Sequence, residues 1–184
     1  MPRLFIGIDL PDAIDEHLEL LCTGLTCARW EGADKFHLTL RFLGDVDGGL
    51  HRAIIDALGG VRFPAFDMAL HGVGFFPPRG EPRSLWAGVD DAGPLRELRR
   101  RIDRALDHLG VEPDPRKFAP HVTIARLRDP DVPDVVDFLS ANVLFRSETF
   151  RVERFLLYSS IQGAKGSKYR VEAGFHLGEA TPAS

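Results

Sequence analysis

The feature that most constrains this chain is that it contains itself twice. Lys35-Phe36-His37-Leu38-Thr39-Leu40 returns as Lys117-Phe118, two inserted residues, then His121-Val122-Thr123-Ile124, with the histidines 84 positions apart. Phe66 and Phe150 each open a strand-like run, again 84 apart, and Leu4-Phe5-Ile6-Gly7-Ile8-Asp9 resembles Leu85-Trp86-Ala87-Gly88-Val89-Asp90 at an offset of 81. Three matches in the same order at nearly constant offset indicate a duplicated unit. One fold solution is then used twice, which makes a pseudo-twofold arrangement the expectation.

Each unit reads strand, helix, strand, helix, strand. Arg3 to Leu10 is a short apolar run stopped by Pro11, hence a strand. Pro11 to about Cys27 carries Ile14, Leu18, Leu21 and Leu25 at helical spacing, with Pro11 and Asp12 as its start. A strand over His37–Leu43, a helix over Leu50–Leu58 closed by Gly59-Gly60, and a strand over Phe66–Phe76 complete the first unit. The second follows the same plan: a strand over Ser84–Asp90, a helix over about Pro94–Leu109, a strand over His121–Leu127. A helix over about Val132–Ala141 and a strand over Phe150–Ser160 complete it, and a last strand, Lys168–Leu177, returns. The Pro77–Arg83 and Gly163–Ser167 segments, rich in Gly, Pro and basic residues, are expected to be mobile. The expected fold class is α+β. The 184 residues form one two-lobed domain with repeats at roughly 3–76 and 84–160, each repeat building a lobe, and two mainly antiparallel sheets face a central cleft with helices outside.

Strand alternation assigns faces. Leu38, Leu40 and Phe42 point to a helix-covered core, while His37, Thr39 and Arg41 point the other way. In the second unit Val122 and Ile124 are core, and His121 and Thr123 lie on the open face. Phe5 and Trp86 point to the same side. Two open faces related by a pseudo-twofold would carry a histidine on each wall of one cleft.

A pair of imidazoles can divide acid and base duties near neutral pH. A His two positions before a Thr sets both side chains on one face, about 6.6 Å apart along the strand. Thr39 and Thr123 can donate to phosphoryl oxygens while His37 and His121 reach the attacking and leaving oxygens. In-line displacement at phosphorus needs that bracketing geometry. No metal is required if the imidazoles carry the protons and Thr, Arg and backbone N–H groups hold the charge. Arg41 and Arg126 follow the two motifs, and Arg126 suits a phosphate clamp. Phe76, with Arg79 and Arg83, can offer a stacking face and phosphate contacts to a nucleotide. His71 shares a strand face with Asp67 and Ala69, which would turn it to the cleft. A zinc site would need a third ligand beside His37 and His121, and neither a helical His-Glu-x-x-His nor a cysteine pair supplies one.

Composition bounds the partners. With 23 basic and 27 acidic residues the net charge is -4, whereas proteins that grip long nucleic acid carry a basic surplus. Any nucleic acid is therefore expected to be engaged locally, at an end. Cys22 and Cys27 read as small hydrophobes of one helix, without a disulfide. No signal peptide or membrane-length apolar run is visible, so a cytoplasmic protein is expected.

The motifs resemble the two-histidine phosphoesterase superfamily, and within it the RNA 2',3'-cyclic phosphodiesterases, also called 2'-5' RNA ligase-like proteins. The resemblance rests on His37-Leu38-Thr39-Leu40-Arg41-Phe42-Leu43-Gly44, on Pro120-His121-Val122-Thr123-Ile124-Ala125-Arg126, and on Leu157-Tyr158-Ser159-Ser160 leading to Gly163, Gly166 and Tyr169. The Gly74-Phe75-Phe76-Pro77 and Leu85-Trp86 runs add to it. It implies a bilobal fold and metal-free hydrolysis of RNA 2',3'-cyclic phosphate to 2'-phosphate ends, without a cofactor. Some members also join RNA halves through 2'-5' linkages. His37 would be general acid and His121 general base, labels that the residues themselves leave interchangeable. Thr39, Thr123, Arg126 and Phe76 would bind substrate. The expected partners are RNAs with cyclic phosphate ends, tRNA halves among them, acted on by a monomer away from membranes. Two other readings stay open: hydrolysis of small cyclic nucleotides or 2'-5' oligonucleotides, and a non-catalytic RNA-end binding module.

Overall fold

The computed structural model describes residues 3–163 and 166–178. The elements in chain order are β1 (Arg3–Asp9), α1 (Asp12–Glu19), β2 (Ala28–Trp30), β3 (His37–Asp45), α2 (Gly48–Gly59), β4 (Phe66–Met68), β5 (Leu70–Phe76), β6 (Ser84–Val89), α3 (Gly93–Leu106), β7 (Val122–Leu127), α4 (Val132–Ala141), β8 (Phe150–Val152), β9 (Arg154–Gly163) and β10 (Gly166–His176). All strand pairs in the two sheets are antiparallel. Eight strands form one sheet in the order β10-β9-β1-β3-β7-β6-β5, with β2 also on β7, and β4 and β8 form a second, two-stranded sheet. The helices bury Ile14, Leu18, Ile54, Leu58, Leu95, Ile102 and Phe138 in the same core as Leu4, Ile6, Leu38, Val122 and Leu157.

The large sheet is two blocks whose ladders join at a single residue pair, Leu38↔Val122. Asp67 and Arg151 are paired at the centre of the small sheet. Members of each pair stand 84 residues apart, so each pair is its own image when the repeats are exchanged and lies at the pseudo-twofold axis. The repeats are not the lobes, contrary to the sequence-based expectation. At β4 and β8 each repeat crosses the axis and gives its next strand to the other side: β5 pairs with β6, and β9 pairs with β1. β2, not foreseen, likewise crosses to pair with β7. For the same reason the strand expected over Phe66–Phe76 is two strands in two sheets, and His71 is exposed, bridged to Arg146 outside the cleft.

Side-chain alternation also breaks where the sequence does not announce it. The β1–β3 register runs Gly7↔Thr39 and then Ile6↔Arg41, leaving Leu40 as an extra residue. A bulge of this kind reverses the faces beyond it. Arg41 is therefore buried at 3% exposure and Phe42 stands in the cleft, the reverse of the simple alternation. The β6–β7 register has the same bulge at Ile124, which buries Ala125 and turns Arg126 to the cleft. Through these registers the equivalent of Gly7 is Trp86, so the first strands match at an offset of 79 and not 81.

The first helix stops at Glu19 and not near Cys27. Gly24, at φ 88°, takes a left-handed conformation that a helix cannot continue through, while Leu21 and Leu25 still reach the core from the turns. Cys22 and Cys27 are free thiols in different local structures. Burial is the main cause pushing the Cys22 thiol up to about 11.

Candidate active site

His37 opens β3 and His121 directly precedes β7, each one residue before the axial pair Leu38↔Val122. Continuing that antiparallel register by one residue sets His37 across from Thr123, and Thr39 across from His121. The same local geometry thus supplies both halves of the site.

Each imidazole is locked in the same way. Nδ1 of His37 lies 2.7 Å from the Lys35 carbonyl, and Nδ1 of His121 lies 2.6 Å from the Ala119 carbonyl. A carbonyl only accepts, so Nδ1 must carry the hydrogen in both rings, and Nε2 is the nitrogen left for chemistry. Aromatic rings fix the orientation. Phe5 and Tyr169 lie 4.9 and 5.0 Å from His37 by ring centroids, and Phe76 lies 4.8 Å edge-on to His121. Trp86 packs behind, 6.3 Å from His121, and Gly74 makes room for it: a Cβ there would fall 2.2 Å from the indole.

Burial lowers the pKa of both histidines, and the carbonyl bonds only partly offset it. The remaining charges are unequal. The Arg126 guanidinium disfavours the protonated form of both rings, and on His37 the Glu31 carboxylate opposes it.

His37, Thr39, His121, Thr123, Arg126 and Phe76 all line one cavity of about 590 Å³. That volume suits a nucleotide-sized ligand. Arg79, Arg83 and Arg41 do not line it. Arg41 instead donates to Asp103 at 2.7 Å and to the Val111 and Glu112 carbonyls on the core side. The structure adds cleft residues that the motifs did not single out. Glu31 sits 3.6 Å from both Arg126 and Lys35 at one end. At the other, Arg116 lies over Phe42 at 4.5 Å and is held by two bonds to Asp114. Glu31 and Arg116 lie in irregular segments, where no periodicity flags a residue. Among the described residues no group of three or more His, Cys, Asp or Glu comes together as a candidate metal site.

The family model of the 2'-5' RNA ligase superfamily matches residues 10–164. The chain is 32% identical over 173 residues to an RNA 2',3'-cyclic phosphodiesterase of Archaeoglobus fulgidus, covering 91% of this chain and 96% of that protein. It is 34% identical over 175 residues to the Thermotoga maritima protein of the same name, covering 92% of each. Among solved structures it superposes on a Thermus thermophilus protein at TM-score 0.80 and 27% identity, over 97% of this chain and all of that one. Escherichia coli LigT crystallised with 3'-AMP matches at TM-score 0.76 and 27% identity, over 96% and 99% of the two chains. Matched across most of its length by the family model and by these relatives, the chain belongs to the 2'-5' RNA ligase superfamily.

Proposed function

We propose that this protein hydrolyses 2',3'-cyclic phosphate ends of RNA to 2'-phosphate ends, with His37 and His121 as the acid–base pair and no metal in the reaction. The observation that carries the reading is the pair of imidazoles in one cavity, each with Nδ1 held by the carbonyl two residues earlier and each beside a threonine of the facing strand. The names of the relatives in Archaeoglobus and Thermotoga and the 3'-AMP complex of LigT support the substrate class.

In the step we envisage, His121 Nε2 takes a proton from water as the water oxygen bonds to phosphorus. The bond from phosphorus to the 3' oxygen breaks, and His37 Nε2–H protonates that oxygen. The products are a free 3'-hydroxyl and a 2'-phosphomonoester. Thr39 and Thr123 hydroxyls and the Arg126 guanidinium hold the non-bridging oxygens, and Phe76 offers an aromatic face to the nucleotide. Both imidazoles resist protonation in the empty site, so the acid gains its proton when the anionic phosphate arrives.

We further read residues 1–184 as one two-lobed domain, a view that the shared core of both repeats supports. We also take it to act as a cytoplasmic monomer without a membrane partner, on RNA ends that include tRNA halves. No helix among the described residues is long and apolar enough to cross a membrane. The test is turnover of an RNA oligonucleotide ending in a 2',3'-cyclic phosphate, in the presence of EDTA, with the product end identified. Release of 2'-phosphate ends is expected. Turnover confined to small cyclic nucleotides or 2'-5' oligonucleotides, or binding without turnover, would replace the proposal with the corresponding alternative.

A further inference from the structure

The cleft does not end at the histidines. On the Arg126 side it runs into a second concavity of about 430 Å³, which shares Glu31, Lys35, Arg126 and Tyr169 with the first and adds Arg29 and Arg128. Arg29 and Arg126 are direct partners across the β2–β7 ladder, so their side chains leave the sheet on the same face. Arg128 comes two residues after Arg126. Its N–H donates to the Cys27 carbonyl at 3.0 Å, which extends the ladder past β7 and returns the Arg128 side chain to that face about 6.6 Å further on.

Like charges directly opposite each other work against strand pairing. Here three arginines and Lys35 share one concave surface with a single carboxylate among the described residues, Glu31. A positive surplus focused in a groove continuous with the phosphate cavity is a setting for a further anion. A 2',3'-cyclic phosphate sits on the last ribose of an RNA, and the strand continues from that ribose only through its 5' side. The next phosphate of a polynucleotide therefore lies on one side of the scissile phosphate. Building on the RNA-end reading above, we infer that Arg29 and Arg128, in the groove beyond Arg126, bind the phosphodiester backbone on the 5' side of the terminal nucleotide, and so select an RNA strand over a cyclic mononucleotide.

The test compares kcat/KM on a tetranucleotide ending in a 2',3'-cyclic phosphate with kcat/KM on the cyclic mononucleotide, for wild type, Arg29→Gln, Arg128→Gln and the double variant. The oligonucleotide-to-mononucleotide ratio should fall about tenfold in the double variant, and the salt dependence of the oligonucleotide rate should become shallower by about 0.7 to 1 for each phosphate no longer neutralised. Arg29→Lys, which keeps the charge, should retain most of the ratio. An unchanged ratio and salt slope in the double variant would overturn the inference. Fluorescence anisotropy with a labelled tetranucleotide ending in a 2'-phosphate reads the groove without turnover. If wild type turns over neither substrate while the double variant binds this probe more weakly, the groove stands and the catalytic reading falls. Equal binding by wild type and double variant removes the groove whatever the turnover.

Discussion

Replacing Arg41 with Met separates two roles that its place after the first motif allows. A cleft arginine would hold phosphate; a buried one would hold the fold. In the structure its guanidinium donates to Asp103 at 2.7 Å and to the Val111 and Glu112 carbonyls at 3.4 and 3.2 Å. Asp103 is 37% exposed, so solvent screens that pair to about 1 kcal/mol or less. The two longer bonds contribute about 1 kcal/mol each. Methionine keeps the apolar stem and escapes the cost of burying a guanidinium whose Nε has no partner among the described residues. The net loss is about 2 kcal/mol, which for a chain of this length lowers Tm by about 4–8 °C. Cleft chemistry should persist, with kcat/KM within about threefold of wild type, since the substrate keeps every group that touches it. Arg126→Met is the opposite control. This exposed side chain should leave Tm within about 2 °C, while removing a charged phosphate partner lowers kcat/KM about ten- to hundredfold. Thermal melts and steady-state rates on the two variants give both readouts. Arg41→Met with an unchanged melt and a rate as low as that of Arg126→Met would refute the bulge at Leu40 and the face assignment built on it.

His37→Ala and His121→Ala should each cut turnover by about two to four orders of magnitude, with folding preserved, as single-turnover assays and melts will show. Opposite limbs of the pH–rate profile should vanish in the two variants, because one ring must be neutral and the other protonated. Stability should carry the same histidines' signature. Their folded pKa values lie below the unfolded value of about 6.5, so the unfolded chain holds more protons and stability falls as pH drops below that value. Asp15, whose carboxyl burial and Asp12 push up to about 7, acts with the opposite sign. The readout is therefore the difference between wild type and His37→Phe in urea midpoints at pH 7.5 and 5.5, and wild type should lose more. Activity should be unchanged by EDTA; its loss on chelation and return with added zinc would restore the metal alternative.

The sequence showed most clearly what repeats. Two His-x-Thr motifs, each between apolar neighbours, placed four side chains on two open faces, and those four line one cavity. What it hid follows from three physical causes. A single extra residue, Leu40, reverses the faces of Arg41 and Phe42, and nothing in the composition of Leu40-Arg41-Phe42 distinguishes a bulge from regular alternation. The exchange of β5 and β9 between lobes is a property of connection, invisible to local periodicity. Glu31 and Arg116 come from short irregular segments and Lys35 from a single 3-10 turn, and their placement depends on β2 crossing to β7 and on the Arg41 tether at Val111–Glu112. The offset of 81 for the first strands came from matching Gly7 with Gly88. Strand register equates Gly7 with Trp86 instead, since each sits opposite the threonine of its own motif.

That last exchange has a consequence for the two halves as separate molecules. Trp86 of the second half sits opposite Gly74 of the first and fills the space a side chain there would need, whereas Gly7 of the first half sits opposite Leu156 of the second. Two copies of the first half, assembled by the same strand exchange, would set glycine against glycine and lack the indole beside the histidine. Two copies of the second would drive an indole into a leucine, where even a methyl group at 2.2 Å is too close. Cut between β5 and β6, two second halves are therefore kept from rebuilding the cleft by their own indoles, while the unlike pair retains the glycine that receives one.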